Sequence, residues 1–350
     1  MVFNSAAIDA HCHPWFRSAE HKEELSDISV HNLDYLSIDQ YISNLSRDRD
    51  LDSEGLVHYL EMTKLKTVLV DVGWPLNQND RLWMKLKKFA PFWRLLRLEN
   101  VWEQALIESN NLNDISDKLM SSMKDIRKNS EKFIGWKTVI AYETGLNVSE
   151  STKDNIETEF LKFRKGSKKR SSLKALNDYL FTESLKIIAE DRDTLQIHTG
   201  LGAPLAGGIM VNPSNLANIF SKISNLPKIV ILHGGWPYLD EALWLTRNFE
   251  NVYMETSLPF FLTYKDLKAI LRRLMLSGLK SKILYGSDSV GSPINHVLSL
   301  LIREKAMSET LEELRNEKVL NSNVDLKLIA DKYFVDNATE VYGKKIRGVY

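Results

Sequence analysis

Ile8-Asp9-Ala10-His11-Cys12-His13 is a short apolar, β-prone run that ends in two histidines one residue apart. Side chains at i and i+2 of a strand point to the same face. His11 and His13 therefore present two imidazoles side by side at the C-terminal end of a first strand. Imidazole is the usual nitrogen ligand for Zn2+ and similar divalent ions. Alone, such a pair fits a polar turn equally well. Its meaning depends on what the other strand ends carry.

Seven further β-prone runs follow: Lys66–Asp71, Phe92–Leu98, Phe133–Ala141, Thr194–His198, Lys228–His233, Val252–Glu255 and Ile283–Gly286, with the first read as Ala6–Ala10. Stretches of helical periodicity lie between or after them, including Asn100–Arg127, Ser172–Asp191, Pro213–Ile223, Thr263–Ser277 and Ile294–Lys305. Strand-then-helix alternation implies parallel pairing through crossovers. Runs such as KIVILH carry an unbroken apolar stretch, Ile229–Leu232, as strands buried on both faces require. Eight such units predict an α/β fold, a (β/α)8 TIM barrel, as a single domain over residues 1–350. The third run, containing RLLRL, also suits a helix, so seven strands in an open doubly wound sheet form the structural alternative. Helical insertions are expected after strand one, at residues 14–62, and after strand four, at residues 143–171. The second holds the cationic run KFRKGSKKR at Lys162–Arg170 and is read as a solvated loop or a lid over the barrel mouth. The segment NATEVYG reads as a closing helix ended by Gly343.

Two further histidines of the eight, and one aspartate, fall at strand ends. His198 ends TLQIH, His233 ends KIVILH, and Asp288 follows ILYGS. Active sites of (β/α)8 enzymes are built on the C-terminal face, from strand ends and the loops after them. A core histidine explains any one of these positions. It explains poorly why several close different strands at the same end, and a shared metal site does. Glycines at Gly200, Gly202, Gly234, Gly235 and Gly286 suit tight strand-to-helix turns. No GxxxxGK[ST] loop, HExxH, CxxC or GxSxG elbow is present, so ATP and serine-hydrolase chemistry lack support, and Gly200-Leu201-Gly202 lacks the third glycine of a dinucleotide fingerprint.

The chain has 350 residues, 43% hydrophobic and 26% charged, which is the balance of a globular protein. Lys and Arg total 46, as do Asp and Glu. A neutral chain lacks the electrostatic footprint of a nucleic-acid binder. The one cysteine, Cys12, forms no internal disulfide. Its place between the histidines turns it to the other face of the strand, so it is not read as a nucleophile. No apolar stretch approaches the ~18 residues of a membrane span, and the N-terminus lacks the basic start of a signal peptide. The expected location is cytoplasmic, with a small-molecule substrate, no nucleic-acid or membrane partner, and a homodimer as a possible assembly.

IDAHCHP, QIHTG, ILHGGWP and YGSD, in this order, resemble the amidohydrolase superfamily, and most closely its amidohydrolase-related branch of metal-dependent hydrolases and nonoxidative decarboxylases. Gly135-Trp136-Lys137 with Ala141-Tyr142-Glu143-Thr144-Gly145-Leu146 further resembles the amidohydrolase-like domain fused to glutamine-synthetase-like proteins. The resemblance runs from Ile8 to NATEVYG. It implies that His11, His13, His198 and Asp288 hold one divalent ion, Zn2+ first, with Mn2+ or Fe2+ compatible. It places His233 off the metal, acting on substrate. In two-metal members a carboxylated lysine at the end of strand four bridges the ions. Lys137 is the candidate here, but a strand continuing through Ile140 would leave it mid-strand, so one metal is expected.

Three imidazoles and a carboxylate leave room on an ion for a water whose pKa falls toward ~7. Asp288 would take its proton, and His233 would polarise the substrate or protonate the leaving group. This predicts hydrolysis of an amide-type C–N bond. The same set also suits decarboxylation of an aromatic or unsaturated carboxylate, and a catalytically silent barrel serving as a partner domain is the non-enzymatic alternative. Arg97, Lys137, Trp74, Tyr142 and Trp236 are the substrate-contact candidates, with Glu99 beside Arg97 and Trp15 in the same aromatic wall. Glu255 and Asp71 end strands and would support ligating histidines. Asp9, one layer below His11, is expected to be a hydrogen-bonding support.

Overall fold

A computed structural model of the chain describes residues 6–13, 65–73, 91–166, 172–202, 208–257, 266–289, 294–343 and 346. Its strands are β1 (Ala7–Cys12), β2 (Leu65–Asp71), β3 (Phe92–Arg97), β4 (Phe133–Thr138), β5 (Thr194–Ile197), β6 (Lys228–Ile231), β7 (Val252–Glu255) and β8 (Ile283–Leu284). They form one sheet in the order β1 to β8 without a skip. The pairs β1–β2, β3–β4, β4–β5, β5–β6 and β6–β7 are parallel. The segment after β8 then returns to β1. Ala10 N–H donates to Tyr285 O at 3.1 Å, Asp288 N–H to His11 O at 3.0 Å, and His13 N–H to Ser289 O at 2.8 Å. An open doubly wound sheet reverses its strand order at a switch point and leaves two edges. Sequential order with a β8-to-β1 return is the (β/α)8 arrangement, and Arg94–Arg97 of the RLLRL run is strand.

The crossovers are helical. α1 (Leu98–Glu108) and α2 (Leu112–Asn129) join β3 to β4, and α3 (Lys153–Arg164) and α4 (Lys174–Asp191) join β4 to β5. α5 (Leu239–Asn248) precedes β7, α6 (Leu267–Leu276) precedes β8, and α7 (Ile294–Asn316) follows it. No described helix is long and apolar enough to cross a membrane.

The chain divides into two compact units, Met1–Trp93 with Glu255–Tyr350, and Arg94–Met254. In the first, every residue of β1 is buried. α6 adds Leu267, Leu271 and Leu274, spaced to face one side. The NATEVYG segment forms a helix, Asn337–Tyr342, ended by Gly343 at φ +88°. Asn337 Nδ2 ties it down by donating to the carbonyls of Lys280 and Ile283, both at 2.7 Å. In the second unit Trp102 is fully buried and donates to Ser184 Oγ at 2.8 Å.

Two boundaries differ from the sequence reading. Asn100–Arg127 is two helices, because Asn111 turns its side chain back onto the N–H groups of Asn113 and Asp114 and starts a new helix there. The run Phe133–Ala141 stops being strand at Thr138. The Glu99 carboxylate accepts from Thr138 Oγ1 at 2.6 Å and from Val139 N–H at 2.8 Å, and the chain turns helical over Ile140–Glu143. Lys137 is therefore next to the end of β4, not in its middle, which removes the mid-strand objection to a bridging lysine. The 14–62 insertion lies outside the described residues. The insertion at 143–171 holds α3, whose Ile156 and Phe160 are buried. Arg164, within the cationic run, donates to Ile107 O at 2.9 Å.

Candidate metal centre

In the first unit, β1 delivers His11 and His13 to one place, with ring centroids 5.0 Å apart and planes at 83°. Asp288 Oδ1 lies 3.4 Å from His11 Nε2 and 3.3 Å from His13 Nε2. One donor atom from each of the three falls within 4.8 Å of the others. Two imidazole nitrogens and a carboxylate oxygen suit Zn2+, Mn2+ or Fe2+, so the donor set fits a divalent ion. The His11 side chain is sealed at 0% exposure, while those of His13 and Asp288 are 11% and 15% exposed, so solvent reaches the group past these two. On the far side of His13, Asp71 Oδ2 is 3.8 Å from Nδ1, and Asp71 Oδ1 accepts from Gly73 N–H at 3.0 Å.

Asp288 adopts φ +50°. For a residue with a side chain this left-handed geometry costs roughly 1–2 kcal/mol, and it persists only where neighbours over-determine it. Its N–H is held by His11 O, and Ser287 is held by Asp9 through N–H to Oδ1 at 2.8 Å. Gly286 lets β8 pass against Glu255. A Cβ there would sit 2.7 Å from Glu255 Cδ. Glu255 itself accepts from Ser257 Oγ at 2.8 Å.

Asp9, Cys12 and His296 form a second group of clustered donor atoms. His296 Nδ1 and Asp9 Oδ2 are already at 2.6 Å, a direct hydrogen bond. Burial pushes the Cys12 thiol well up, and Asp9, Asp288 and Asp71 add to the effect, so it keeps its proton and donates to Leu69 O at 3.5 Å. A protonated thiol is a poor metal ligand. This group is hydrogen-bonded scaffolding under the first.

The second unit holds its own histidine pair. His198 directly follows β5 by one residue, and His233 follows Leu232 beyond β6. His233 Nε2 is 2.9 Å from His198 Nδ1, and Tyr142 Oη is 2.9 Å from that same Nδ1. His198 Nε2 lies 3.2 Å from Leu201 O. His233 adopts φ +63°, followed by Gly234 at +58° and Gly235 at +64°, a left-handed turn that sets the imidazole at the strand mouth. Gly202 passes so close to Tyr142 that a Cβ would sit 2.5 Å from the ring carbon Cζ. Arg97 pairs with Lys137, and Lys137 with Gln196, in adjacent parallel strands. Paired residues share a face of the sheet, so these three side chains point the same way, with Lys137 buried to 1% exposure. Trp236 is half-buried, and its carbonyl accepts from Leu201 N–H at 2.7 Å. Trp15 and Trp74 lie outside the described residues.

Sequence reading misses two residues of this scaffold, Ser287 and His296, which hold Asp9. Glu99, read as a neighbour of Arg97 at the end of strand three, ends β4. Ser287 sits in the YGSD motif, which is a signal of a kind. His296 lies within a helix and carries none.

Residues 170–344 match the amidohydrolase family. Protein fluG of Emericella nidulans is 31% identical over 169 residues, which cover 44% of this chain and 19% of that protein, so the match spans about a fifth of the relative's length. Among solved structures, a protein from Lactobacillus casei described as a metal-dependent hydrolase superposes with a TM-score of 0.77 at 19% identity, covering 97% of this chain and 96% of the other. A uronate isomerase from Bacillus halodurans gives 0.64 at 13%, covering 99% and 95%. A lactonase from Listeria monocytogenes gives 0.53 at 15%, covering 97% and 95%. At these identities the structures establish the shared fold.

Proposed function

This chain belongs to the amidohydrolase family, and on that premise we propose that it is a metal-dependent hydrolase that cleaves an amide-type C–N bond of a small molecule with water. The observation that carries this reading is the convergence of His11 Nε2, His13 Nε2 and Asp288 Oδ1. A divalent ion held there, Zn2+ first, supplies Lewis acidity and lowers the pKa of a water to ~7. Asp288, on the solvent-facing side of the group, takes the proton of the attacking water. The family resemblance assigns His233 to protonate the departing nitrogen; within its own unit its Nε2 lies 2.9 Å from His198 Nδ1. The family resemblance also assigns His198 to the ligands, and the metal content of His198→Ala tests that assignment. Lys137 is read as a substrate-contacting residue, with Arg97 on the same face as a partner for a substrate carboxylate.

Protein purified without chelator is expected to carry about one equivalent of divalent metal, and His11→Ala to lose it. Turnover in 18O-labelled water is expected to place one label in the product. Metal-free wild-type protein overturns the reading. CO2 release without label transfers it to the decarboxylases, and two equivalents of metal replace the one-ion account with one in which a carboxylated Lys137 bridges a pair.

A further inference from the structure

Three buried polar side chains join the ligand-bearing strands of the first unit to helix α7. Asp9 and Ser287 are 0% exposed and His296 is 1% exposed. His296 Nδ1 lies 2.6 Å from Asp9 Oδ2. Ser287 donates its hydroxyl to the same Oδ2 at 2.5 Å and its N–H to Oδ1 at 2.8 Å. Ser287 Oγ in turn accepts from Ser289 N–H at 3.0 Å, and His296 Nδ1 is 3.3 Å from it. A carboxylate only accepts hydrogen bonds, so Nδ1 carries the proton and Asp9 is the hub.

Both arms of the hub lead to ligands. Asp9 stands two residues before His11 and accepts from its N–H at 3.4 Å. Ser287 immediately precedes Asp288, whose φ of +50° must be imposed by its neighbours. The constraint acts from both sides, because Ser287 is fixed by Asp9 and Ser289 by the Ser287 hydroxyl. We infer that His296, Asp9 and Ser287 form a positioning clamp that aims the Asp288 carboxylate at His11 and His13 and so sets the affinity of the centre for its metal. This rests on the metal-centre reading above. A network serving stability alone would shift the melting temperature and leave metal affinity unchanged.

The test measures the Zn2+ affinity of the full chain by competition with a chromophoric chelator, beside the thermal stability of the chelator-treated protein. Removing supports of this kind lowers metal affinity about 10–100-fold. Asp9→Asn and Ser287→Ala are expected to fall in that range and to alter the visible spectrum when Co2+ replaces Zn2+. His296→Asn keeps an N–H near the position of Nδ1 and is expected to stay close to wild type, whereas His296→Leu loses affinity with the others. Should Asp9→Asn fail to fold, Ser287→Ala, which removes one oxygen, decides. Ser287→Ala binding Zn2+ as wild type does, or His296→Leu binding as well as His296→Asn, overturns the clamp while leaving the metal centre standing. Wild-type protein that binds no Zn2+ overturns the metal centre, and the clamp with it.

Discussion

Replacing Gly200 with alanine drives a methyl group into the backbone that carries the second histidine of the second unit. Gly200 has φ +73°, and a Cβ there would meet the Trp236 carbonyl oxygen, with Gly235 C at 2.6 Å and Gly235 O at 2.8 Å. The Trp236 carbonyl cannot retreat without losing its bond from Leu201 N–H at 2.7 Å, nor can Gly200 without losing its own to Val211 O at 2.9 Å. The left-handed conformation costs an alanine roughly 1–2 kcal/mol, and overpacking against fixed backbone adds about 1–3 kcal/mol. Gly166 is the control in the same unit. Its φ is +97° with nothing within 4 Å of a Cβ, so Gly166→Ala carries the conformational cost alone. Urea unfolding followed by far-UV circular dichroism, at a common slope, should place Gly200→Ala about 1–3 kcal/mol below Gly166→Ala. Equal stability of the two variants would refute the steric argument.

Three other outcomes follow from particular side chains. Arg303 is 1% exposed and donates to the carbonyls of Thr256 and Ser257 and to Tyr333 Oη, so Arg303→Met strands buried acceptors and should cost about 3 kcal/mol or more in thermal unfolding. Burial raises the Asp178 carboxyl, against the bonds from Lys174 and Ser149 that lower it. The folded state thus holds this proton after the unfolded chain has lost it, and the group's contribution to stability falls as pH rises above the unfolded value of about 4. Denaturation of Asp178→Asn beside wild type should show a difference that moves in favour of the variant between pH 4 and 7, and a difference that stays constant contradicts this sign. Cys12, buried with a raised thiol pKa, should resist a thiol reagent in the native protein and react with one equivalent after denaturation. Rapid native labelling would place it elsewhere.

The fold is legible in the sequence because strands covered on both faces leave consecutive apolar residues, and Ile229–Ile231 and Val252–Met254 show this directly. Where a strand stops is less legible. Phe133–Ala141 closes on the apolar, β-prone Val139-Ile140-Ala141, so nothing local marks its end, and the stop at Thr138 comes from Glu99, 39 positions away. The caps within Asn100–Arg127 are similarly hidden, since Asn111 begins a helix only because the chain turns there. For the metal group, the i, i+2 spacing of His11 and His13 acts locally and can be read from the sequence. Asp288 reaches them only because the segment after β8 hydrogen-bonds to β1. The contact of His296 with Asp9 spans 287 positions and leaves no pattern in spacing or periodicity.

The central claim is that His11, His13 and Asp288 hold a divalent ion. X-ray absorption at the zinc edge of zinc-loaded protein tests it most directly. The account predicts nitrogen and oxygen neighbours at about 2.0–2.2 Å with imidazole multiple scattering. A sulfur neighbour at about 2.3 Å would move the ion to the group of Asp9, Cys12 and His296 and contradict it.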